Sequence, residues 1–312
     1  MTSTWSTLCI LSVLHVCLIG ACPCEHLVAD PLFPGGHNGG MRIDCEFHEH
    51  GLTEIPTDCF ALYPDVSQVF LDFNEITTVN VDSFNGLNNL KTLVLKKNKI
   101  SSCHDDAFAE LHQLEFLDLT SNKLGNAPAS VWNLSNLTKL SLADNNIKDS
   151  SSFNIPNLFN LKWLDLHLNH LEHIPTGSFD LLSHLQILII KWNILQEMPD
   201  LTKNLALTEV IANGNAITKF PKHVFSSNLT SPITYHIVDN PAWDLPASML
   251  LDLPWHSHIV TDNDEEIWCL DESEKEDLLS RSWTIQDGMG RYLYLEQLVR
   301  VCGLDGMPDP CT

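Results

Sequence analysis

Asparagine recurs in this chain at Asn74, Asn98, Asn122, Asn145, Asn169, Asn193, Asn215 and Asn240, at intervals of 24, 24, 23, 24, 24, 22 and 25 residues. Around it runs a fixed apolar frame. One copy reads Leu90, Leu93, Leu95, Asn98, Ile100, and the next reads Leu114, Leu117, Leu119, Asn122, Leu124. The frame continues through Leu137, Leu140, Leu142, Asn145, Ile147 and through Leu161, Leu164, Leu166, Asn169, Leu171. The copies at Val66–Ile76 and Leu185–Leu195 fit with β-branched substitutions, and those around Asn215 and Asn240 are weaker. Such a period describes an array of small units. Each unit is too short to bury its own apolar face, so the units must stack.

The frame dictates local structure. Its L-x-L segment alternates, which is the pattern of a strand with one buried face. The asparagine then turns the chain inward, and its amide can bond backbone groups left unpaired in the turn, forming a ladder from unit to unit. The rest of each unit returns on the other side, where Val79, Phe84 and Leu87, or Ile174, Phe179 and Leu182, supply a second row of core residues.

An open stack exposes its ends and needs atypical caps. Cys22-Pro23-Cys24, Ile43-Asp44-Cys45 and Gly51-Leu52-Thr53-Glu54-Ile55-Pro56 stand before the array, and Asn240-Pro241-Ala242-Trp243-Asp244-Leu245-Pro246-Ala247 follows it. Frame and flanks together resemble the extracellular leucine-rich-repeat family with cysteine-rich flanks, which includes small leucine-rich proteoglycans, Toll-like receptor ectodomains and variable lymphocyte receptors. Two departures are visible. The insert between Cys24 and Cys45 is long and Gly-rich, and two flank cysteines are replaced by Leu245 and Ala247. The resemblance implies an α/β fold: a leucine-rich-repeat solenoid or horseshoe of about eight repeats, with a parallel sheet on its concave face and a cap at each end. It also implies that Cys269 pairs with Cys302. The expected organisation is a signal peptide (1–21), a cysteine-rich N-terminal cap (22–60), the repeats (61–243) and an atypical C-terminal cap with an acidic loop (244–312).

The termini bear on location. Leu8 to Ala21 is mostly apolar and ends in small residues; at 14 residues it has the length of a signal-peptide core and is too short to span a bilayer. No Lys or Arg precedes it, and Ile19-Gly20-Ala21-Cys22 loosely fits a bacterial lipidation box, which is the alternative reading. Eight cysteines remain after Ala21, and all lie outside the stretch between Cys103 and Cys269. A disulfide needs Cα atoms within about 7 Å, so pairing between the two ends is excluded. Cys22, Cys24, Cys45, Cys59, Cys269 and Cys302 are the disulfide candidates. Cys103, at the position of Val79 and Ile174, is expected to be a buried thiol, and Cys311 is free to bridge a second chain. Sequons at Asn133, Asn136 and Asn228 are candidate glycosylation sites. A secreted, extracellular chain without membrane insertion is expected.

Candidate chemistry is sparse. There is no nucleophile elbow, phosphate loop or zinc-protease motif. The donors in Cys45-Glu46-Phe47-His48-Glu49-His50 read as a polar turn, His167, His170 and His173 follow the repeat frame, and the acids between Asp262 and Asp277 lack a calcium-loop frame. Neither a catalytic set, a metal site nor a cofactor is expected. The formal charge of −23 repels nucleic acid. Residues 286–300 read as a helix-like end segment. Function is therefore expected on the outward face of the strands. The candidate ligand-binding residues are Phe70, Phe116, Asp118, Trp163, Asp165, His167, Ile187, Ile189, Lys191, Trp192 and Ile211, an apolar centre with a charged rim that fits an extracellular protein partner. The other reading is that a flank covers some of them. The expected role is non-enzymatic recognition; a matrix protein, or the non-catalytic subunit of a secreted enzyme, is the alternative.

Overall fold

The computed structural model describes residues 26–28, 41–45, 51–148, 153, 155, 157–241, 252–261, 268–270, 276, 280, 284–286, 292–293 and 299–301. The chain divides into an N-terminal unit, Met1–Asn146, and a C-terminal unit, Ile147–Thr312.

The N-terminal unit contains β1 (His26–Val28), β2 (Met41–Asp44), β3 (Val66–Phe70), β4 (Thr78–Val79), β5 (Thr92–Val94), β6 (Ser102–Cys103), β7 (Phe116–Asp118) and β8 (Lys139–Ser141). β1 runs antiparallel to β2, and β2, β3, β5, β7 and β8 then pair in parallel. Register brings Val69, Leu93, Leu117 and Leu140 into line, and all four are fully buried. This is the inward residue of each L-x-L segment, and stacking like on like is what lets successive repeats share one core. On the returning side β4 and β6 form a two-stranded parallel ladder that sets Val79 beside Cys103. Farther round, Phe60, Phe84 and Phe108 stack with centroids 6.3 and 5.7 Å apart.

The C-terminal unit contains β9 (Trp163–Asp165), β10 (Ile187–Ile189), β11 (Glu209–Ile211), β12 (Thr234–His236), β13 (His258–Val260), β14 (Trp268–Leu270), β15 (Thr284–Gln286), β16 (Tyr292–Leu293) and β17 (Val299–Val301). β9 to β13 and β15 are parallel, and Leu164, Leu188, Val210, Tyr235, Ile259 and Ile285 align as the buried column. Tyr235 is the largest of them. It meets Phe225 edge-on at 5.4 Å, its hydroxyl donates to Met198 Sδ, and burial pushes its ionisation well above the ordinary range.

Three details differ from expectation. The parallel sheet continues through β13 and β15, beyond the last recognisable asparagine. Residues 292–293 and 299–301 are strand, not helix: β16 folds back on β15, opposing Leu293 to Ile285, and β17 pairs with β14. The sequence Asp287-Gly288-Met289-Gly290 has turn composition, and the alternation in Tyr292-Leu293-Tyr294-Leu295 suits a strand. The helical half of the α/β expectation is also reduced. In the N-terminal unit the returning side holds, besides β4 and β6, turns such as Ser83 N–H to Asn80 O and Leu87 N–H to Phe84 O and a five-residue 3-10 helix at Ala129–Asn133. A period of 22–25 residues leaves too little chain on that side for several helical turns.

The asparagine ladder is present in full geometry. Asn98 Nδ2 donates to Leu95 O at 3.0 Å and across to Leu71 O of the preceding repeat at 2.8 Å, while its Oδ1 accepts from Ile76 N–H at 3.0 Å. Asn122 repeats the pattern with Leu119, Leu95 and Ile100, and Asn193 repeats it with Ile190, Leu166 and Leu171. The turn has a second requirement that the frame does not announce. The residue before the asparagine lies in the left-handed region: Phe73, Lys97, Ser121 and Asp144 in one unit, Leu168, Trp192, Gly214 and Asp239 in the other, with φ between 51° and 64°.

Cys45 and Cys59 are buried and disulfide-bonded, and Cys103 is a free thiol. Cys103 is half-buried rather than enclosed, although its ladder partner Val79 is fully buried. Cys22, Cys24, Cys302, Cys311 and the side chain of Cys269 lie outside the described residues, as do His48 and His50.

Candidate functional site

A parallel in-register ladder sorts outward side chains into columns, one residue from each strand. In the N-terminal unit the first column is Gln68, Thr92, Phe116 and Lys139, and the second is Phe70, Val94, Asp118 and Ser141. Three of these positions are less available than the sequence suggests. The Arg42 guanidinium lies 4.0 Å over the Phe70 ring and pairs with Asp44, so Phe70 is capped from within the chain. Asp118 Oδ1 accepts from Thr120 N–H at 2.9 Å, fixing the strand end. Ser141 is buried, and its hydroxyl is 2.6 Å from that of Thr120. Phe116 remains half-exposed beside Lys139.

In the C-terminal unit the first column is Trp163, Ile187, Glu209, Thr234, His258 and Thr284, and the second is Asp165, Ile189, Ile211, His236, Val260 and Gln286. Trp163, Ile187, Ile189 and Ile211 are neighbours and half-exposed, so the structure does bring these candidates together. Asp165 and His167 do not belong to an open charged rim. Asp165 is 6% exposed; its Oδ1 accepts from His167 N–H at 3.0 Å and lies 2.7 Å from His167 Nδ1. The pair satisfies itself at the strand end, as Asp118 does in the other unit.

Polar chemistry gathers instead on strands where the frame had faded. His236 Nε2 is 3.5 Å from Glu209 Oε1. His258 Nδ1 is 2.5 Å from Thr284 Oγ1, and its Nε2 is 3.3 Å from Gln286 Oε1. Burial holds the imidazole of His236 below its ordinary protonation range; His258 and Lys191 act in the same direction, and Glu209 opposes them. The signal for these residues is the alternation in Thr234-Tyr235-His236, in the weak repeat that ends in Asn240, and in His258-Ile259-Val260, which has no frame asparagine after it.

Trp192 lies elsewhere. With φ at 55° it belongs to the turn, not to the strand, and it is 50% exposed. Its indole packs over Gly214 so closely that a Cβ added there would sit 2.4 Å from the ring. Leu168 precedes it in the turn row of the same unit and is also exposed. Among the sequons, Asn133 and Asn228 are exposed, while Asn136 Nδ2 donates to His112 O at 2.8 Å.

Within residues 64–124 and 135–195 these columns, the buried row and the asparagine ladder match the family model described as "Leucine rich repeat". Those two segments are leucine-rich repeats. Solved structures carry the same fold. One is a TLR13–ssRNA13 complex, with a TM-score of 0.64 and 20% identity over 83% of this chain and 42% of that one. Another is the APL1 leucine-rich repeat domain, with a TM-score of 0.63 and 20% identity over 77% of this chain and 60% of that one. The chain thus spans less than two thirds of either. No curated protein matches it by sequence. Among the described residues no helix is long and apolar enough to cross a membrane, and no group of three metal-ligating side chains is assembled.

Proposed function

We propose that this is a secreted, non-enzymatic binding protein whose leucine-rich repeats hold an extracellular protein partner on the outward face of β9 to β13. The observation that carries the reading is the half-exposed cluster Trp163, Ile187, Ile189 and Ile211 on a sheet face, bordered by Lys191, Glu209 and His236. Apolar area on a solvent-facing sheet is unfavourable unless something covers it, and an apolar centre with a polar border is how protein interfaces are composed. The similar TLR13 structure is a complex with single-stranded RNA, but a formal charge of −23 opposes a phosphate backbone here. Secretion is supported by the apolar Leu8–Ala21 stretch and by the use of cysteine.

The test is capture of extracellular proteins on the purified chain, followed by affinity measurement for whichever protein binds. Ile189→Glu places a charge in the middle of the cluster. It is expected to weaken binding by more than about 2 kcal/mol, the scale of a hot-spot loss, while the thermal transition holds. Unchanged affinity in a folded Ile189→Glu variant means that the partner sits elsewhere.

A further inference from the structure

Outside the strands of the C-terminal unit lies a cavity of about 390 Å³, lined by Thr202, Lys203, Leu205, His223, Asn228 and Asp252 among others. We propose that an N-linked glycan on Asn228 folds back into this cavity and is held there through its first sugars. The proposal rests on the secreted reading above, because only the secretory route supplies the glycan.

Three observations meet at this place. Asn228-Leu229-Thr230 is a sequon whose middle residue is buried, which anchors the segment, while Asn228 itself is exposed on the cavity wall. The backbone N–H of Asn228 donates to Ser226 Oγ at 3.2 Å, but among the described residues its side-chain amide has no hydrogen-bond partner. Asn136 differs, since its amide nitrogen ties down the preceding repeat through His112 O. An attachment nitrogen beside a cavity and without a structural duty is what a folded-back glycan requires.

The lining fits a sugar. Asp252 Oδ2 lies 2.7 Å from His223 Nδ1, and the carboxylate side chain is 11% exposed against 49% for the imidazole. With Nδ1 engaged, Nε2 is the ring atom that can bond a ligand hydroxyl. Lys203 adds an ammonium donor, and the Thr202 hydroxyl, which donates to Asp200 Oδ1 at 2.6 Å, can accept from the sugar. Leu205, half of whose surface is exposed, offers an apolar wall. A pyranose presents hydroxyls around its edge and C–H groups on its face, so it needs this mixture of convergent polar groups and apolar surface. The covalent link also gives the sugar a high effective concentration, so contacts too weak to capture a free saccharide suffice.

The test expresses the full chain in a eukaryotic secretory host and follows each sequon by peptide mapping during digestion with a peptide-N-glycosidase. Asn228 is expected to be glycosylated, and its glycan to leave the folded protein roughly tenfold or more slowly than the unfolded one, a protection of about 1.4 kcal/mol. His223→Ala and Lys203→Ala are expected to restore fast release with the thermal transition unchanged; Lys203→Ala serves alone if His223→Ala does not fold. A bare Asn228 in secreted protein overturns the proposal, and so does a glycan released as quickly from the folded wild type as from the unfolded chain. Release that stays slow in both folded variants assigns the protection to crowding at the attachment point and also overturns it. A chain retained in the cell with all three sequons bare counts against secretion itself, a separate outcome.

Discussion

The residue before each ladder asparagine carries a cost that the rest of the turn offsets. A left-handed conformation costs a non-glycine residue about 1–2 kcal/mol, yet Phe73, Lys97, Ser121, Asp144, Leu168 and Trp192 all adopt it. In return the turn gains four asparagine hydrogen bonds, as at Asn193, and a backbone bond to the next repeat, such as Trp192 N–H to Asn213 O at 2.8 Å. Gly214 is the exception in this row, and the Trp192 indole explains why. Gly214→Ala is expected to lower stability by the backbone cost of about 1 kcal/mol plus a steric contribution of similar size. In a Trp192→Ala background the steric part should vanish. Denaturant unfolding of the four chains measures this, and an equal cost in both backgrounds dismisses the ring contact as the cause. A second comparison sets neighbouring strand residues against each other. Trp163 is half-exposed and Leu164 is fully buried. Trp163→Ala should cost within roughly 1 kcal/mol of stability, and Leu164→Ala about 2–5 kcal/mol. If Trp163→Ala unfolds the chain as badly as Leu164→Ala, the indole is part of the core and not of a binding face.

At the scale of elements, β4 and β6 show how position sets chemistry. Cys103 stands beside Val79 in a two-stranded ladder, and burial, with Asp105 second, pushes its thiol up to about 12 from an ordinary 9.0. The unfolded chain therefore releases this proton first as pH rises, so stability falls progressively between 9.0 and about 12 and is untouched by this group below that window. Cys103 should resist a thiol reagent at pH 8 in the folded chain and react on unfolding; prompt labelling of the folded chain refutes the burial argument. The sequence carried the position of Cys103, because the repeat frame aligns it with Val79. In the same way it carried the buried column, the asparagine ladder and the grouping of Trp163 with Ile187, Ile189 and Ile211, all consequences of period and alternation. It did not carry the hydrogen bonds that engage Asp118 and Asp165, since an aspartate two residues before a backbone N–H reads like any exposed acid. Nor did it carry β13, β15 or the bonds of His258 to Thr284 and Gln286, where spacing drifts from the frame and strand pairing is set by contacts far apart in sequence. The strand at β16 departs from the helix-like expectation for a related reason: leucines in a short apolar segment fit a helical and an alternating period about equally well.

For the molecule as a whole, charge and protonation pull against each other on acidification. The formal charge is −23 with histidines neutral, and protonating all 15 brings it to −23 + 15 = −8. That relieves self-repulsion and stabilises the folded chain, most at low salt where charges are least screened. His236 works the other way. Its imidazole is held below the ordinary 6.5 chiefly by burial, assisted by His258 and Lys191 and only partly countered by Glu209. Between the unfolded value and the lower folded one, the unfolded chain binds this proton more readily. The stability associated with neutral His236 is therefore complete above pH 6.5 and declines as pH falls through that value towards the folded one. His258 faces the same neighbourhood through its bonds to Thr284 and Gln286, so a charge on either imidazole is felt by the other. Replacing His236 by Gln keeps a polar side chain opposite Glu209 and removes the titration. The two chains should differ least above pH 7, and the wild type should lose stability relative to His236→Gln as the pH is lowered from 7 to 5. Taking the difference between them cancels the global charge effect, which both share. Chemical unfolding at a series of pH values and constant ionic strength reads that difference directly. A difference independent of pH shows that Glu209 cancels burial, and one that grows in favour of the wild type on acidification shows that Glu209 outweighs burial and reverses the sign argued for this histidine.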